Sequence, residues 1–310
     1  VENTPDAYLV ILAENIVYAT GGEAGLYETS VYPASQTGGT GVALRAGAAG
    51  KNLTEWQYGI ASIKFRWNLS GTYQQVLPRY ISTEPDGSDE KEFLNEYFDN
   101  AQQLLNACFL KGYQWPFDPR KTADHGSSLV DLLVYQETVL RGRRVWLDFR
   151  RNPSPSETDL YFDSDRLPAE AREYLKNSDS LRATPIERLE HMNPAAIELY
   201  RSHGIDLAAK PLEIAVCAQH NNGGLAGSAW WESNLRHLFP VGEVNGSHGV
   251  YRPGGTALNA GQVGSLRAAQ YIAARYTDRP LSAKDAAKRL GSQITSAIRF
   301  GQDALDRTRP

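Results

Sequence analysis

Three glycine-containing segments in the last third of the chain constrain its fold more than any other feature. They are His220-Asn-Asn-Gly-Gly224, Gly242-Glu243-Val244, and the longer run from Ser247 to Leu258, Ser-His-Gly-Val-Tyr-Arg-Pro-Gly-Gly-Thr-Ala-Leu. Glycine lets a flat or anionic ligand approach the backbone closely, because no Cβ stands in the way. A histidine and an arginine flank this backbone, and both residue types can hold a carboxylate. The segments therefore predict a ligand site.

The bulk composition limits the classes of protein to consider. The chain has 310 residues, of which 41% are hydrophobic and 22% are charged, the balance of a soluble globular protein. Its formal net charge of −4 provides no basic field that would collect nucleic acid or an anionic membrane. The densest basic run, at Arg141, Arg143 and Arg144, leads into alternating apolar residues and predicts the solvated edge of a strand. We therefore expect no nucleic-acid partner.

The cysteines, the apolar runs and the first residue bear on the setting of the chain. Cys108 and Cys217 lie far apart, each in an apolar run, which predicts two buried thiols and neither a disulfide nor a metal site. No apolar run approaches the roughly 18 residues of a membrane span. No signal peptide is visible, so we expect a cytoplasmic protein. The chain starts at Val1 and its only methionine is Met192, so we expect a processed or trimmed chain, or a piece of a longer protein.

Hydrophobic periodicity and end signals predict alternating strands and helices. An apolar run over 8–18 predicts a buried strand, with a turn near Glu14 and Asn15, that ends in the tight turn Ala19-Thr20-Gly21-Gly22. Thr184-Pro185 and Asn193-Pro194 are strong helix starts, and a further helix begins near Asn259. The remaining predictions are a short helix over 42–47, a helix with a capping box at 89–92 that ends at Gly112, strands over 145–149 and 212–218, and a helix pair after Ser282 that breaks near Gly291.

Three side chains carry functional groups that the glycine-rich segments would bring to a ligand. Arg252 offers a bidentate fork for a carboxylate, and the backbone N–H groups of the following helix start favour negative charge, such as that on a reduced flavin. Glu243 can hold a ribose diol. Each has a structural alternative: Arg252 pairs with an acid of the protein, His220 is a hydrogen-bonded strand end, and Glu243 caps a turn. The Ala19 to Gly22 turn is also common at ordinary strand ends.

Taken together, these segments resemble the carboxyl-terminal portion of FAD-dependent flavoproteins of the fumarate reductase/succinate dehydrogenase superfamily. The family motifs ATGG, TGDG-x-A-RAGA, H-x-x-GG, GE-V and HG-x-x-R-x-GG-S/T-x-L are similar to segments within 8–64 and 212–275, and the middle of the chain matches loosely. The resemblance implies that the substrate carboxylate is held by His220, His248 and Arg252, with His220 and Arg252 also catalytic. It implies FAD contacts at Ala19, Thr20, Gly21, Gly22, Thr37, Gly38, Glu243, Gly255, Thr256, Ala257 and Leu258.

Three departures from the family pattern are visible. The family's Gln-Phe-His-Pro-Thr segment corresponds to Gln57-Tyr58-Gly59-Ile60-Ala61, so its histidine is replaced by a glycine. The catalytic cap arginine has an approximate counterpart: Arg120 is our candidate and Arg79 the rival, with Asp118 and Asp131 available to assist proton transfer. No G-x-G-x-x-G precedes the first strand of this sequence, so we expect the chain alone to bind FAD weakly.

The resulting prediction is a mixed α/β fold with an α+β cap. Residues 1–64 and 227–275 form part of a FAD-binding Rossmann-like domain, 65–226 an inserted capping domain that binds substrate, and 276–310 a C-terminal helical segment. The resemblance implies a FAD-dependent oxidoreductase that acts on CH–CH groups and transfers a hydride between flavin and a carboxylate-bearing, enoate- or dicarboxylate-like substrate. The expected partners are that small carboxylate and a chain or segment that supplies the amino-terminal FAD-binding half. The alternative is a non-catalytic subunit or scaffold fragment with a flavoprotein-like fold, in which Trp230-Trp231 anchors an interface.

Overall fold

A computed structural model describes residues 8–33, 36, 39–154, 163–277 and 279–308. Its strands are β1 (Ile16–Tyr18), β2 (Gly50–Lys51), β3 (Trp56–Ser62), β4 (Trp67–Asn68), β5 (Arg79–Thr83), β6 (Arg144–Asp148), β7 (Leu212–Asn221), β8 (Gly224–Leu225) and β9 (Leu238–Pro240). Its α-helices are α1 (Thr40–Arg45), α2 (Thr72–Gln75), α3 (Ala101–Leu110), α4 (Ser128–Tyr135), α5 (Ala169–Asn177), α6 (Pro185–Met192), α7 (Pro194–Ser202), α8 (Thr256–Arg275) and α9 (Ala283–Thr308).

An antiparallel five-stranded sheet with the order β4-β3-β7-β6-β5 forms the largest structural unit. β7 lies at its centre and is buried along nearly its whole length, as expected for a strand covered on both faces. Sheet residues such as Ile60, Val145 and Ile214 share one core with Phe109 of α3 and Val130 of α4. β3 pairs with β7 along its full length, so the sheet joins residues on both sides of the domain boundary that we predict at 64.

A second, smaller core holds the glycine-rich segments of the last third. β1 pairs in parallel with β9, and Phe239 and Val241 pack against Ala268 of α8 and the indole of Trp231. α8 approaches this indole closely because Gly264 lies at the contact, where a Cβ would stand 2.4 Å from Trp231 Nε1. This core fixes the N-terminal end of α8 beside the 3-10 turn Gly242–Val244.

Several helix starts agree with the sequence prediction. Thr184 and Glu187 form the reciprocal capping box of α6, and the Asn193 side chain accepts the backbone N–H of Ala196 at the start of α7. α8 begins at Thr256, three residues before the predicted start near Asn259. Both cysteines are buried and free, which confirms the prediction of two buried thiols.

Other local predictions are wrong. The strand predicted over 8–18 is restricted to β1, because within the described residues only its last three positions find a partner strand. The helix predicted from the capping box at 89–92 is instead a 3-10 turn, Phe93–Glu96, followed by α3, which Asn100 caps by accepting the N–H of Gln103. Gly291 does not break the last helix, since α9 is continuous over 26 residues. A single helical glycine costs only about 1 kcal/mol relative to alanine, which a long helix tolerates.

The described residues form a mixed α/β fold, as predicted. Within them, no group of three or more His, Cys, Asp or Glu side chains could hold a metal ion. None of the helices described is long and apolar enough to cross a membrane.

Candidate active site

The candidate site centres on His220 and Arg252, which the fold brings together from two elements. His220 lies near the end of β7 and Arg252 in the loop before α8, and their exposed fractions are only 6% and 7%. Gln57 of β3 lies opposite His220 in the strand register and links the two. Arg252 Nε donates to Gln57 Oε1 at 2.8 Å, and Gln57 Nε2 donates to the Arg252 carbonyl at 3.0 Å. The arginine is therefore held by a glutamine on both its side chain and its backbone.

The imidazole of His220 has one nitrogen engaged and one without a partner. Nδ1 lies 3.1 Å from Asn222 Oδ1, and the amide of Asn222 is oriented by its own donation to the Val250 carbonyl. This arrangement assigns the N–H to Nδ1, whereas the buried Nε2 has no hydrogen-bond partner within the described part of the chain. Burial, with the charges of Arg252 and His248, lowers the pKa of His220 to about 3. The ring is therefore neutral near pH 7 unless an anion binds.

Glu243 completes this cluster from the turn that precedes α8. One of its carboxylate oxygens lies 3.8 Å from His220 Nε2 and accepts the backbone N–H of Asn221 at 2.7 Å and the hydroxyl of Tyr32. Burial raises the pKa of Glu243 to about 7. The carboxylate also rests on Gly22, where a Cβ would stand 2.5 Å from Oε1. The predicted glycine turn after β1 is therefore packed directly against this acid.

His248 lies against the same cluster. Its ring centroid is 4.9 Å from that of His220, in an edge-to-face arrangement. Burial and the charge of Arg252 lower the pKa of His248. Two imidazoles and one guanidinium thus share a partly dry volume, in which a bound anion would meet several donors once a histidine takes up a proton.

The two candidate proton-donating arginines lie in different surroundings. The side chain of Arg120 is 71% exposed, and Asp118 holds it through two bonds of 3.0 and 2.8 Å. Its guanidinium carbon lies 4.9 Å from the ring centroid of Tyr251, the residue next to Arg252. Arg79 is instead 10% exposed and pairs with three carboxylates on and beside the sheet, those of Glu90, Glu92 and Asp148.

One predicted assistant of Arg120 is assigned elsewhere by the structure. Asp131 is buried against Lys111, whose Nζ lies 2.6 Å from Oδ2, so Asp131 does not serve Arg120. Burial raises the pKa of Asp131 to about 6, against the opposing charge of Lys111. Asp118 does contact Arg120, and the guanidinium lowers the pKa of that carboxyl.

The described residues among those predicted to contact a flavin lie in two places, around the glycine turn after β1 with Glu243 and at the start of α8. Ala19 and Thr20 are exposed at the end of β1, and Thr37 and Gly38 lie outside the described residues. Gly255 adopts a left-handed φ of 79° as the N-cap of α8, and nothing lies within 4 Å of where its Cβ would stand. The first turn of α8 is formed by Thr256, Ala257 and Leu258, and Leu258 is exposed. The space beside Gly255 is therefore open next to the positive end of α8, where the Thr256 N–H donates to the Pro253 carbonyl at 3.3 Å.

A small cavity lies between the glycine turn and the end of β7. Its volume is about 100 Å³, and its walls include Gly22, Thr40, Asn221 and Glu243. Ligand pockets usually measure about 300–1,000 Å³, so this cavity has room for one group of a ligand, such as a ribose, and not for a whole dinucleotide.

The sequence prediction missed three residues that shape the site. Gln57 holds Arg252, Asn222 orients His220, and Tyr32 binds Glu243. Gln57 stood in the segment compared with the family's Gln-Phe-His, and its agreement with the family's glutamine was the available signal. Nothing in the sequence pattern pointed to Tyr32.

Comparison with known proteins places this geometry in context. No family model matches the chain. It is similar to a fumarate reductase (CoM/CoB) subunit of Methanothermobacter marburgensis, with 32% identity over 127 residues, 41% of this chain and 20% of the relative. It is also similar to L-aspartate oxidase 2 of Ralstonia nicotianae, with 25% identity over 255 residues, 80% of this chain and 37% of the relative. The chain spans less than half the length of the curated relatives that it matches.

A solved structure shares the fold. The structure described as quinol-fumarate reductase with menaquinol molecules superposes with a TM-score of 0.52 at 18% identity, over 91% of this chain and 44% of that one. In sequence and in fold, the chain is thus similar to flavoproteins of the FAD-dependent fumarate reductase/succinate dehydrogenase superfamily, as its motifs predict.

Proposed function

We propose that this chain forms the substrate-binding part of a FAD-dependent oxidoreductase that transfers a hydride between flavin and a carboxylate-bearing, enoate- or dicarboxylate-like substrate. The observation that carries the proposal is the convergence of buried His220 and Arg252 immediately before the open N-terminus of α8. Burial lowers the pKa of Arg252 although Glu243 lies in the same cluster, and a substrate carboxylate would further stabilise the charged guanidinium.

The cofactor proposal rests on the open glycine backbone. FAD, when bound, supplies the hydride donor or acceptor at flavin N5. The first turn of α8 would face the ring with Gly255, Thr256, Ala257 and Leu258, and the partly exposed carboxylate of Glu243 would meet the ribose. The remaining contacts would come from Ala19, Thr20, Gly21, Gly22, Thr37 and Gly38. A chain or segment that completes the FAD-binding half is the proposed macromolecular partner.

The substrate would be anchored by its carboxylate. Gln57 engages Arg252 Nε, and Nη1 donates one N–H to the Pro253 carbonyl at 3.4 Å, so each outer nitrogen of the guanidinium still has an N–H for a bidentate bond. His220 and His248 would add donors on one side of the same carboxylate. A protonated imidazole is needed for His220 Nε2 to donate, and the bound anion favours that protonation.

Arg120 is the proposed proton donor. In the reductive direction the β-carbon accepts a hydride, the electron pair of the double bond moves to the α-carbon, and Arg120 gives that carbon a proton. One C=C bond is thereby replaced by a C–C bond with two new C–H bonds. Asp118 holds the Arg120 guanidinium in place. The guanidinium is exposed to solvent, so Arg120 can recover a proton from water. Arg79 is a poor donor because three carboxylates hold it within the sheet.

The test is Arg252→Ala in the complete flavoprotein, with reoxidation of the reduced flavin by fumarate as the probe reaction. A lost charge-assisted contact costs about 1.5–3 kcal/mol, and misplacing the reacting carbon by about 1 Å can cost a further hundredfold in rate. We expect reoxidation to be abolished while flavin absorbance and the unfolding midpoint are retained. Arg252→Lys should restore it partly, because an ammonium lacks the planar fork. Unchanged reoxidation in Arg252→Ala would remove Arg252 from the mechanism.

The same experiment addresses the proton donor and the non-catalytic alternative. Arg120→Gln should slow reoxidation, whereas Arg79→Lys should lower stability and leave the rate per folded molecule unchanged. A complete protein without flavin absorbance would favour a scaffold. That alternative is supported by Gly59, which replaces the histidine of the family segment, and by the half-exposed indole of Trp230, which stacks on Tyr271 of α8.

A further inference from the structure

The central strand β7 contains a β-bulge beside the site. Gln57 of β3 lies opposite His220, but the next residue, Tyr58, lies opposite Ala218, so Gln219 has no partner across the ladder. A bulge of this kind re-aims the side chain of the extra residue. The amide of Gln219 lies over Gly59, with Oε1 3.0 Å and Nε2 3.2 Å from where a Cβ of that glycine would stand. Gly59 is the position at which the related family segment has a histidine.

One end of this amide is engaged and the other is not. Nε2 of Gln219 donates to the Ile60 carbonyl at 3.3 Å, which fixes the orientation of the amide. Oε1 is buried and has no hydrogen-bond partner among the described residues, and the whole residue is only 5% exposed. An unpaired buried acceptor costs about 1–3 kcal/mol, so it favours a ligand that brings a donor.

The surroundings of Gly59 are neutral. The Trp115 carbonyl, a second acceptor, lies 3.1 Å from the same Cβ position, and the indole Nε1 of Trp115 is also buried without a partner among the residues described. Lys111 Nζ donates to that carbonyl at 2.9 Å, but its charge is balanced by Asp131 at 2.6 Å. Among the described residues, this end therefore offers acceptors and the neutral N–H of Trp115, and the nearby Lys111 is paired with Asp131.

The neutral end and the arginine end lie on the same face of the sheet. Gln57 and Gly59 are two residues apart on β3 and so share a face, about 6.6 Å apart along the strand. The loop that carries Arg120 runs beside them: Trp115 lies at Gly59, and the Phe117 N–H donates to the Tyr58 carbonyl at 2.8 Å. Gln57, which holds Arg252, and Gly59, over which the Gln219 amide lies, thus bring the two groups to the same face of the sheet.

We propose that Gln219 is a specificity-determining residue that accepts a hydrogen bond from the distal end of the substrate. The substrate then carries one carboxylate, held at Arg252, and a neutral hydrogen-bond donor at the other end, such as a carboxamide or a hydroxyl. A second carboxylate is disfavoured because it would face two acceptor oxygens. This inference rests on the proposed function, which supplies the carboxylate at Arg252.

The test compares three trans-butenoates that differ only at the distal carbon: fumaramate with a carboxamide, crotonate with a methyl group and fumarate with a carboxylate. Their dissociation constants are measured by calorimetry on the complete flavoprotein. One satisfied hydrogen bond corresponds to about 3- to 10-fold in affinity, so fumaramate should bind about 3- to 10-fold more tightly than crotonate, with fumarate the weakest. In Gln219→Leu and the more flexible Gln219→Met, the preference for fumaramate over crotonate should fall within about twofold.

A matched control is Gln75→Leu, which removes another buried glutamine, one that accepts from Tyr174 instead of facing the site. It should leave the ratio of the three constants unchanged. Fumarate binding as tightly as fumaramate, or a preference that survives Gln219→Leu, overturns the inference while the proposed function stands. If none of the three binds, or if their binding does not depend on Arg252, the proposed function fails instead. If neither variant folds, the order of the three wild-type constants still decides.

Discussion

The contact between Gln57 and Arg252 allows the sharpest test of how the site is built. The two residues are 195 positions apart in sequence. The Gln57 amide accepts a hydrogen bond from the Arg252 side chain and donates one to the Arg252 backbone carbonyl. Replacing Gln57 by leucine keeps the volume and the apolar stem of the side chain. It removes the acceptor of Arg252 Nε and the donor to the Arg252 carbonyl, both of them buried.

The expected cost follows from these two bonds. A hydrogen bond to a charged donor contributes about 1.5–3 kcal/mol and a neutral one about 0.5–1.5 kcal/mol. The added apolar contacts of leucine offset part of this loss. Gln57→Leu should therefore lower the free energy of unfolding by about 2–4 kcal/mol. Because the freed guanidinium can turn away from the site, the affinity for a carboxylate should also fall by about tenfold, which corresponds to about 1.4 kcal/mol.

The assay is urea denaturation followed by calorimetric titration with fumarate, both on the complete protein. Gln75→Leu is the matched control, because it loses one neutral bond to Tyr174 and does not touch Arg252. It should lower stability by about 0.5–1.5 kcal/mol and leave the affinity unchanged. If Gln57→Leu folds and binds fumarate as tightly as the wild type, Gln57 does not position Arg252.

Three further predictions concern the supporting structure and the effect of pH. Gly264→Ala should destabilise the protein by about 1–3 kcal/mol in urea denaturation, because its Cβ would stand 2.4 Å from an indole nitrogen, whereas Gly291→Ala, with nothing within 4 Å, should raise stability by up to about 1 kcal/mol. Lys111→Met leaves Asp131 buried and unpaired, so it should lower the free energy of unfolding by about 3–5 kcal/mol. Adding Asp131→Leu should recover most of this loss, and equal stabilities of the single and double variants would contradict the pairing. The pKa of Glu243 is raised to about 7, so its carboxyl is neutral below that pH and negative above it. Because a negative Glu243 repels a bound carboxylate, the affinity for a carboxylate measured by calorimetry should fall as the pH rises through about 7. Glu243→Gln should flatten this dependence of affinity on pH.

Signals that act within a few residues were sufficient to predict several elements. The Thr184-Pro185 start with Glu187 specifies a capping box through bonds that span three residues, and the structure contains it. The glycines before Thr256 likewise end the loop and open α8. In these cases the chemistry that decides the structure lies within one helical turn, so the sequence pattern suffices.

Features that depend on distant partners could not be predicted in this way. The apolar run over 8–18 reads as a strand, but strand formation needs a neighbour, and within the described residues β9 pairs only with Ile16–Tyr18. Asp131 was a reasonable assistant for Arg120 by residue type, yet Lys111 from the end of α3 neutralises it. The same limit applies to Gln57, whose role depends on a loop near the other end of the chain.

The bulge in β7 shows how one residue sets the chemistry of a whole face. Without the extra residue, Gln219 would lie opposite Gln57, and His220 would turn to the other side of the sheet, because side chains alternate along a strand. With it, His220 returns to the face that carries Gln57, and the amide of Gln219 comes to lie over Gly59. The bulge thereby places an imidazole and a neutral acceptor side by side, and Gly59 leaves the space that the acceptor occupies. A one-residue shift in register would turn every side chain of β7 to the opposite face, and His220 would then leave the face that carries Gln57. The register that folds the sheet is therefore also the register that builds the site.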